Sequence, residues 1–582
     1  MKFLIKFILI ITPLFAVDLI FFGGHILTMD DENPLIEAVA IHDGKIYSIG
    51  KKDDIFKLRS WKTKVINLRG KTLMPGFIEA HCHPVATSIL SQVINISGFH
   101  FNSRSEILNV IESAVKEASP GEWVLAFGWD PVLVSDLYKP TLSELDSISL
   151  DTPIFILTQM MHDAYVNSAV YKAAGITMDT PNPIGGGEFQ KDSQGNLNGV
   201  IYEFSALQYV LDKMPKTPEG TAELLLNIQY AKYAKAGYTS ISALGPVNIA
   251  GNPLQFMENL SINGAPVRLY VYPVNKQLDG TNYTVDYGND FFKIKGVKLY
   301  MDGSPYTGGA AFSEPYLNTD LTLNRLGLKK NHRGSINFTE DSLFTTLKYY
   351  HRNNYQIAIH AQGEIAIQGI LDAFTKILYK YPRTNHRHRI EHNALITKEQ
   401  ITQAEELGIT LSFFIDHIYF YGDKLKYIVG SERAKRFMPI QSAISLGHKA
   451  TIHTDNPATP VDPFRAITTA VIRKTKKGEV ILGKNERISV NDALKSMTIN
   501  AAWQLFEEQN RGSITIGKSA DLMILSDNPL EIEQEEIKNI NVMSTWIDGE
   551  QINHSIYTWR NLKLLMLIIY NYLYTSITNW LL

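Results

Sequence analysis

Two histidines one residue apart close the run Leu73-Met-Pro-Gly-Phe-Ile-Glu-Ala-His-Cys-His-Pro84. The run is apolar and strand-like until Pro84 stops it, and in an extended chain successive side chains point to opposite faces. His81 and His83 therefore share a face, while Cys82 points away. Two imidazoles on one face at a strand end make half of a metal site. A lone pair of this kind is more often ordinary surface or core chemistry, so the rest of the chain has to supply the missing ligands.

It offers them at the ends of other strand-like runs. Lys298 lies in Gly296-Val-Lys-Leu-Tyr300, His360 closes Gln356-Ile-Ala-Ile-His360, His392 closes Arg389-Ile-Glu-His392, and Asp455 ends Ala450-Thr-Ile-His-Thr-Asp455. One strand-end histidine is weak evidence, and a strand lysine is usually a solvated edge charge. Together with His81 and His83 they form an ordered set of imidazole, amine and carboxylate groups at strand ends, which is where a closed barrel carries its chemistry.

The elements that must position this set alternate between strands and helical stretches. The run at Phe77, Thr239–Ala243, Val267–Tyr272, Thr410–Phe414 and the four runs just named make eight candidate strands. The predicted fold is α/β, a TIM-like (β/α)8 barrel over residues 73–505. Roughly 150 residues separate the first two strands, too many for one crossover, so an inserted subdomain is expected over about residues 92–225. It holds the aromatic set Trp123, Phe127 and Trp129, read most simply as core. β-rich material at 17–72, with a hairpin signal at Asp43-Gly44, recurs at 506–558 and predicts one small β-sandwich domain built from both chain ends.

Composition bounds the function. The 582 residues, 45% hydrophobic and 20% charged, describe a globular chain with a large core. A net charge of -3 without a basic tract gives no electrostatic case for nucleic acid, and none is expected as a partner. Cys82 is the single cysteine, so no intrachain disulfide forms. Residues 1–16 carry Lys2 and Lys6 with the apolar run Phe7–Ala16, which suits a signal peptide and export to a periplasm or beyond; an uncleaved membrane anchor is the competing reading. The tail 559–582 has no charge from Leu564 onward and reads as an interfacial or docked helix making peripheral membrane contact.

Taken together, Met74-Pro-Gly-Phe-Ile-Glu-Ala-His-Cys-His-Pro84, Gly296-Val-Lys-Leu-Tyr-Met-Asp-Gly-Ser304, Ile359-His-Ala-Gln-Gly-Glu-Ile-Ala-Ile367, His388-Arg-Ile-Glu-His392, Thr454-Asp-Asn-Pro457 and Gly517-Lys-Ser-Ala-Asp-Leu522 resemble the amidohydrolase superfamily. The resemblance is to its amidohydrolase 3 branch of YtcJ-like proteins, related to N-substituted formamide deformylase, and spreads over most of residues 18–555. It implies a barrel holding one or two divalent metal ions, usually zinc. His81 and His83 would bind the first ion, His360 and His392 the second, and Asp455 the first ion and the attacking water. Lys298 falls where some relatives carry a bridging lysine carboxylated by carbon dioxide; an unmodified lysine beside a single ion is the alternative.

The implied reaction is hydrolysis of a small-molecule substrate at a non-peptide C–N bond, such as an N-acyl or N-formyl amine, with Asp455 shuttling the proton. The same centre acting on an ester or lactone, an isomerase or hydratase, and a binding protein that has lost turnover remain alternatives. For substrate contacts, His162 and Asn167 match a His and an Asn that recur in this branch, with a structural role for His162 equally open. Asp302 and Tyr306 follow the fourth strand and His417 the seventh, where a ligand contact competes with ordinary loop roles. His453 is a departure, since a small residue is more usual two places before the aspartate; on the face of Asp455 it would line the substrate pocket, narrowing it or adding a donor.

Overall fold

The computed structural model describes residues 16–184, 187–215, 218, 220–247, 252–262, 264–478, 481–555, 558–559 and 561–569. The described residues form an α/β structure with five sheets. All eight expected strands form: β1 Phe77–Cys82, β2 Tyr238–Leu244, β3 Arg268–Tyr272, β4 Gly296–Tyr300, β5 Gln356–Ala361, β6 Arg389–His392, β7 Thr410–Phe413 and β8 Thr451–Ile452. Each is almost wholly buried, as expected of β-branched and aromatic runs covered on both faces.

The pairing divides them into two parallel sheets. β1, β2 and β3 pair in order with a short strand Phe292–Ile294 at the edge, and β4 to β8 pair in order in a second sheet. An isolated bridge, Val274 to Lys298, joins the end of the first sheet to β4. At the other side His83 N donates to Asn456 O (2.8 Å), which brings the chain after β1 against the chain after β8. Helices such as Glu340–Arg352 and Glu364–Lys380 connect successive strands of the second sheet and bury apolar residues in one large core.

The long interval between β1 and β2 holds a six-stranded sheet, with Ile94–Asn95, Val124–Trp129, Ile154–Thr158 and Asp163–Val166 followed by the hairpin Glu188–Lys191 and Leu197–Tyr202. Alternate residues feed two separate cores, Ile154 and Ile156 on one face and Phe155 on the other. Trp129 belongs to the first core and Trp123 packs on the second, so these aromatics are structural.

Two small sheets complete the chain. One holds Leu19–Phe22, Ala38–His42, Lys45–Gly50 and Lys64–Asn67. Its hairpin turns at Asp43 (φ 49°) and Gly44 (φ 73°), the two positive angles of a tight primed turn. The other combines His25–Ile26 and Thr72–Pro75 with Leu522–Leu525, Val542–Ile547 and Glu550–Gln551, uniting both ends of the chain. Phe21, Ile41, Leu73, Leu522 and Trp546 share one apolar cluster across the two sheets. Residues 1–15 and 570–582, where most of the expected signal peptide and apolar tail fall, lie outside the described residues. Among the described residues no helix is long and apolar enough to cross a membrane.

Candidate metal centre

His81, near the end of β1, has no solvent exposure, and its Nδ1 lies 2.7 Å from Glu391 Oε2 on β6. Arg389, two residues earlier on the same strand face, donates to both oxygens of Glu391 (2.7 and 3.1 Å) and to Ala80 O (2.7 Å). The guanidinium and the carboxylate form a buried ion pair. The carboxylate takes the His81 Nδ1–H, which leaves the Nε2 lone pair free to face the strand ends. Cys82 points the other way and donates its thiol to Ser242 O (3.4 Å), as strand alternation requires.

Around His81 Nε2 the remaining groups converge. Lys298 Nζ is 3.2 Å away and Asp455 Oδ1 3.5 Å. His83 Nε2 is 3.0 Å from the same Asp455 oxygen, and His392 Nδ1 lies 3.8 Å from Asp455 Oδ2. The His360 and His392 rings are 4.4 Å apart between centroids. His453 joins this group, with Nε2 3.2 Å from His392 Nδ1 and its ring stacked 4.8 Å from His81. Ligand atoms of His81, His83 and Asp455 all lie within 4.8 Å of one another, as do those of His81, His392 and His453.

Backbone strain aims two of these groups. His392 (φ 78°) and Asp455 (φ 52°) occupy the left-handed region that side chains other than glycine seldom adopt. His392 thus leaves the alternation of β6, in which Glu391 would otherwise be its opposite-facing neighbour. Asn393 (φ 57°) pins the bend by donating to Ile390 O (2.8 Å) and Ser412 O (2.9 Å). Glu79 pins the other by accepting from Thr454 N (3.2 Å) and Thr454 Oγ1 (2.8 Å). Glu79, Arg389, Glu391 and Asn393 escape a reading confined to strand-end histidines.

The electrostatics suit a cation. Burial, with neighbouring positive groups, holds His81, His392 and His453 well below the usual histidine range, so they present neutral nitrogens. Burial pushes Lys298 down to about 8 despite Glu391 and Asp455. For Asp455, burial is outweighed by the hydrogen bond and charge of His83 and by His453 and Lys298, so the carboxyl stays below its ordinary value. Neutral imidazoles and an ionised carboxylate in a buried cluster are the donor set a divalent ion such as zinc takes.

The other expected contacts divide. Asp302 is buried, accepting from Gln362 N (2.9 Å), Gly363 N (2.8 Å) and Ala311 N (3.1 Å) and approaching His360 Nδ1 to 3.1 Å. Its oxygens are thus spent on holding His360 and two loops, which corrects the expectation of a substrate contact. Asn167 is a second correction. It accepts from Ile154 N and Val170 N, donates to Ser149 O and Thr152 O, and caps the helix Ser168–Ala174, so its side chain has no capacity left for a ligand.

His162 does reach the cluster, its ring 6.4 Å from that of His360. Glu203, 3.2 Å from its Nδ1, overcomes the effect of burial and lifts it to about 9. His417 is fully buried with no hydrogen-bond partner on either nitrogen among the described residues; Tyr306, edge-on to it at 4.8 Å, has an equally unpartnered hydroxyl. Both are unsatisfied groups of the kind a bound molecule completes.

Residues 64–553 match the amidohydrolase family. The chain belongs to that family. This amidohydrolase is 25% identical to YtcJ of Bacillus subtilis (strain 168) over 544 residues, covering 91% of this chain and 98% of YtcJ. It is 24% identical to N-substituted formamide deformylase of Arthrobacter pascens, covering 91% of this chain and 97% of that enzyme. Its fold matches that of an uncharacterized metal-dependent hydrolase from Pyrococcus horikoshii OT3 with a TM-score of 0.69 at 24% identity, over 89% of this chain and 99% of the other. The amidohydrolase is therefore a metal-dependent hydrolase acting on small-molecule substrates.

Proposed function

We propose that the enzyme hydrolyses a non-peptide C–N bond in an amide-like small molecule, an N-acyl or N-formyl amine. The observation that carries this reading is Asp455, whose Oδ1 meets His83 (3.0 Å) and His81 (3.5 Å) while Oδ2 faces His392 (3.8 Å). A carboxylate held ionised at the meeting point of these imidazoles can accept a proton from water and return it to a departing amine. His81, His83 and Asp455 would hold one divalent ion and His360 and His392 a second. A bound ion there supplies an acidified water and polarises the substrate carbonyl.

The other residues orient and exclude. Glu391 and Arg389 keep His81 in one tautomer. His162, held charged by Glu203, offers a donor at the mouth of the site, and His417 and Tyr306 offer polar groups awaiting a partner. The bond class is further supported by likeness to a relative named as a deformylase. Lys298, buried and 3.2 Å from His81 Nε2, would stand in the centre either as an unmodified amine or, carboxylated, as a bridging carbamate.

We further read the two parallel sheets as arcs of one TIM-like barrel, supported by the Val274–Lys298 bridge and the His83–Asn456 hydrogen bond, and the chain-end sheets as a β-sandwich. Export through residues 1–16 and membrane contact through the tail belong to the same proposal. The apolar run ahead of Val17 and the exposed Trp559, Leu565, Met566 and Ile569 support them.

The test is amine release from a panel of N-formyl and N-acyl amines, set beside matched esters and the Asp455→Asn variant. Amine release by the parent and a loss of about 100-fold or more in the variant are expected. Ester cleavage without amine release overturns the bond class.

A further inference from the structure

We infer that His453 is a metal ligand, a further imidazole on the ion that His392 holds. The inference rests on the metal-centre reading above and concerns a residue outside the ligand set expected from the sequence.

Ligand arithmetic raises the question. A four-coordinate site that keeps one position open needs three protein ligands. His81, His83 and Asp455 supply three to the first ion. His81 cannot be shared, because its Nδ1 is engaged by Glu391 at 2.7 Å and only Nε2 remains to donate. His360 and His392 supply two to the second ion, so one donor is missing unless Lys298 is converted to a carbamate.

His453 is placed to be that donor. It is fully buried, its Nδ1 lies 2.8 Å from Ser412 Oγ on β7, and its Nε2 points at His392 Nδ1 from 3.2 Å. Ser412 thus does for His453 what Glu391 does for His81: it engages the distal nitrogen and turns the other into the cluster. Its ring stacks on His81 (4.8 Å, 23°) and lies 5.2 Å from His392, and ligand atoms of the three fall within 4.8 Å of one another. A plain hydrogen bond between His453 and His392 is the competing account, and it leaves the second ion with two imidazoles.

Cobalt(II) loading of metal-free protein separates the two accounts, reading ion stoichiometry, stepwise affinity and the visible spectrum of the parent, His453→Ala and His453→Gln. The expected result is two ions in the parent. In both variants the first ion should bind as before, while affinity for the second falls by more than about 100-fold, beyond the loss of an outer partner alone. Its spectrum should change, and added imidazole should restore it in His453→Ala. The glutamine variant guards against a cavity effect of the alanine. Two ions with parental affinity and spectrum in both variants overturn this inference and leave the metal-centre reading standing, as does a parent that binds one ion with a spectrum the variants share. A parent that takes up no ion overturns both.

Discussion

Nδ1 of His81 and Oε2 of Glu391 sit 2.7 Å apart with no solvent access to either side chain, although 310 residues separate them in the chain. Replacing Glu391 with Gln keeps the shape but removes the charge that fixes the His81 tautomer and neutralises Arg389. Metal affinity should fall about 10- to 100-fold, and the buried, uncompensated guanidinium should cost about 3–5 kcal/mol of stability. Calorimetric metal titration and urea denaturation check the two effects separately. Unchanged affinity would show that His81 needs no such partner.

Acid should loosen the fold at a site away from the metal centre. His388 Nδ1 accepts from Ile357 N (3.0 Å), its Nε2 meets His351 Nδ1 (2.9 Å), and His351 Nε2 donates to Tyr381 O (2.8 Å). His386 accepts from His388 N (3.1 Å) and donates to Leu407 O (2.8 Å). Every ring nitrogen is committed in the neutral form. Burial, reinforced by the neighbouring histidines and Arg383, lowers His386 to about 4 and His388 well below the usual range.

Below the ordinary histidine pKa of about 6.5 the unfolded chain binds protons that the fold refuses. Stability from these groups is thus complete above that pH and is lost as the pH falls from there toward about 4. Urea midpoints of metal-free protein should drop between pH 7.5 and pH 5, and drop less in His386→Asn. A midpoint that rises on acidification contradicts the assignment.

A third prediction concerns the joint between β3 and the C-terminal strands. Arg268, fully buried, contacts Asp521 (2.9 Å), Asp290 (2.6 Å) and Asp548 (2.7 Å). Arg268→Ala leaves the buried Asp521 with Arg511 (3.3 Å) and the Asp548 N–H (3.1 Å) but without its closest guanidinium, and should cost about 3–5 kcal/mol. Arg268→Lys should recover part of that, since one ammonium cannot address three carboxylates. Thermal unfolding of the three proteins gives the order parent, lysine, alanine; equal midpoints would mean the network contributes nothing.

Much of this architecture was legible in the residues. The eight strands announce themselves as short buried apolar runs, and alternation alone put His81 and His83 together with Cys82 turned away. His392 was less accessible to that rule, because a positive φ, not strand parity, aims it. Glu79, Arg389 and Glu391 were invisible for another reason: a buried charge in a strand declares itself only through partners that the fold brings from far along the chain. Asn167 could have been recognised, since an Asn directly before a helical run is the usual N-cap. The resemblance to relatives drew it instead toward the substrate, and the hydrogen bonds place it in the insert's own framework.

The central claim is that these side chains hold divalent metal. Elemental analysis of protein purified without chelator, beside His81→Ala and His392→Ala, tests it most directly. The account predicts bound divalent ions in the parent and fewer in each variant, with activity removed by chelator and returned by zinc. A parent that contains no metal and takes none up on reconstitution, while the fold is intact, would contradict it.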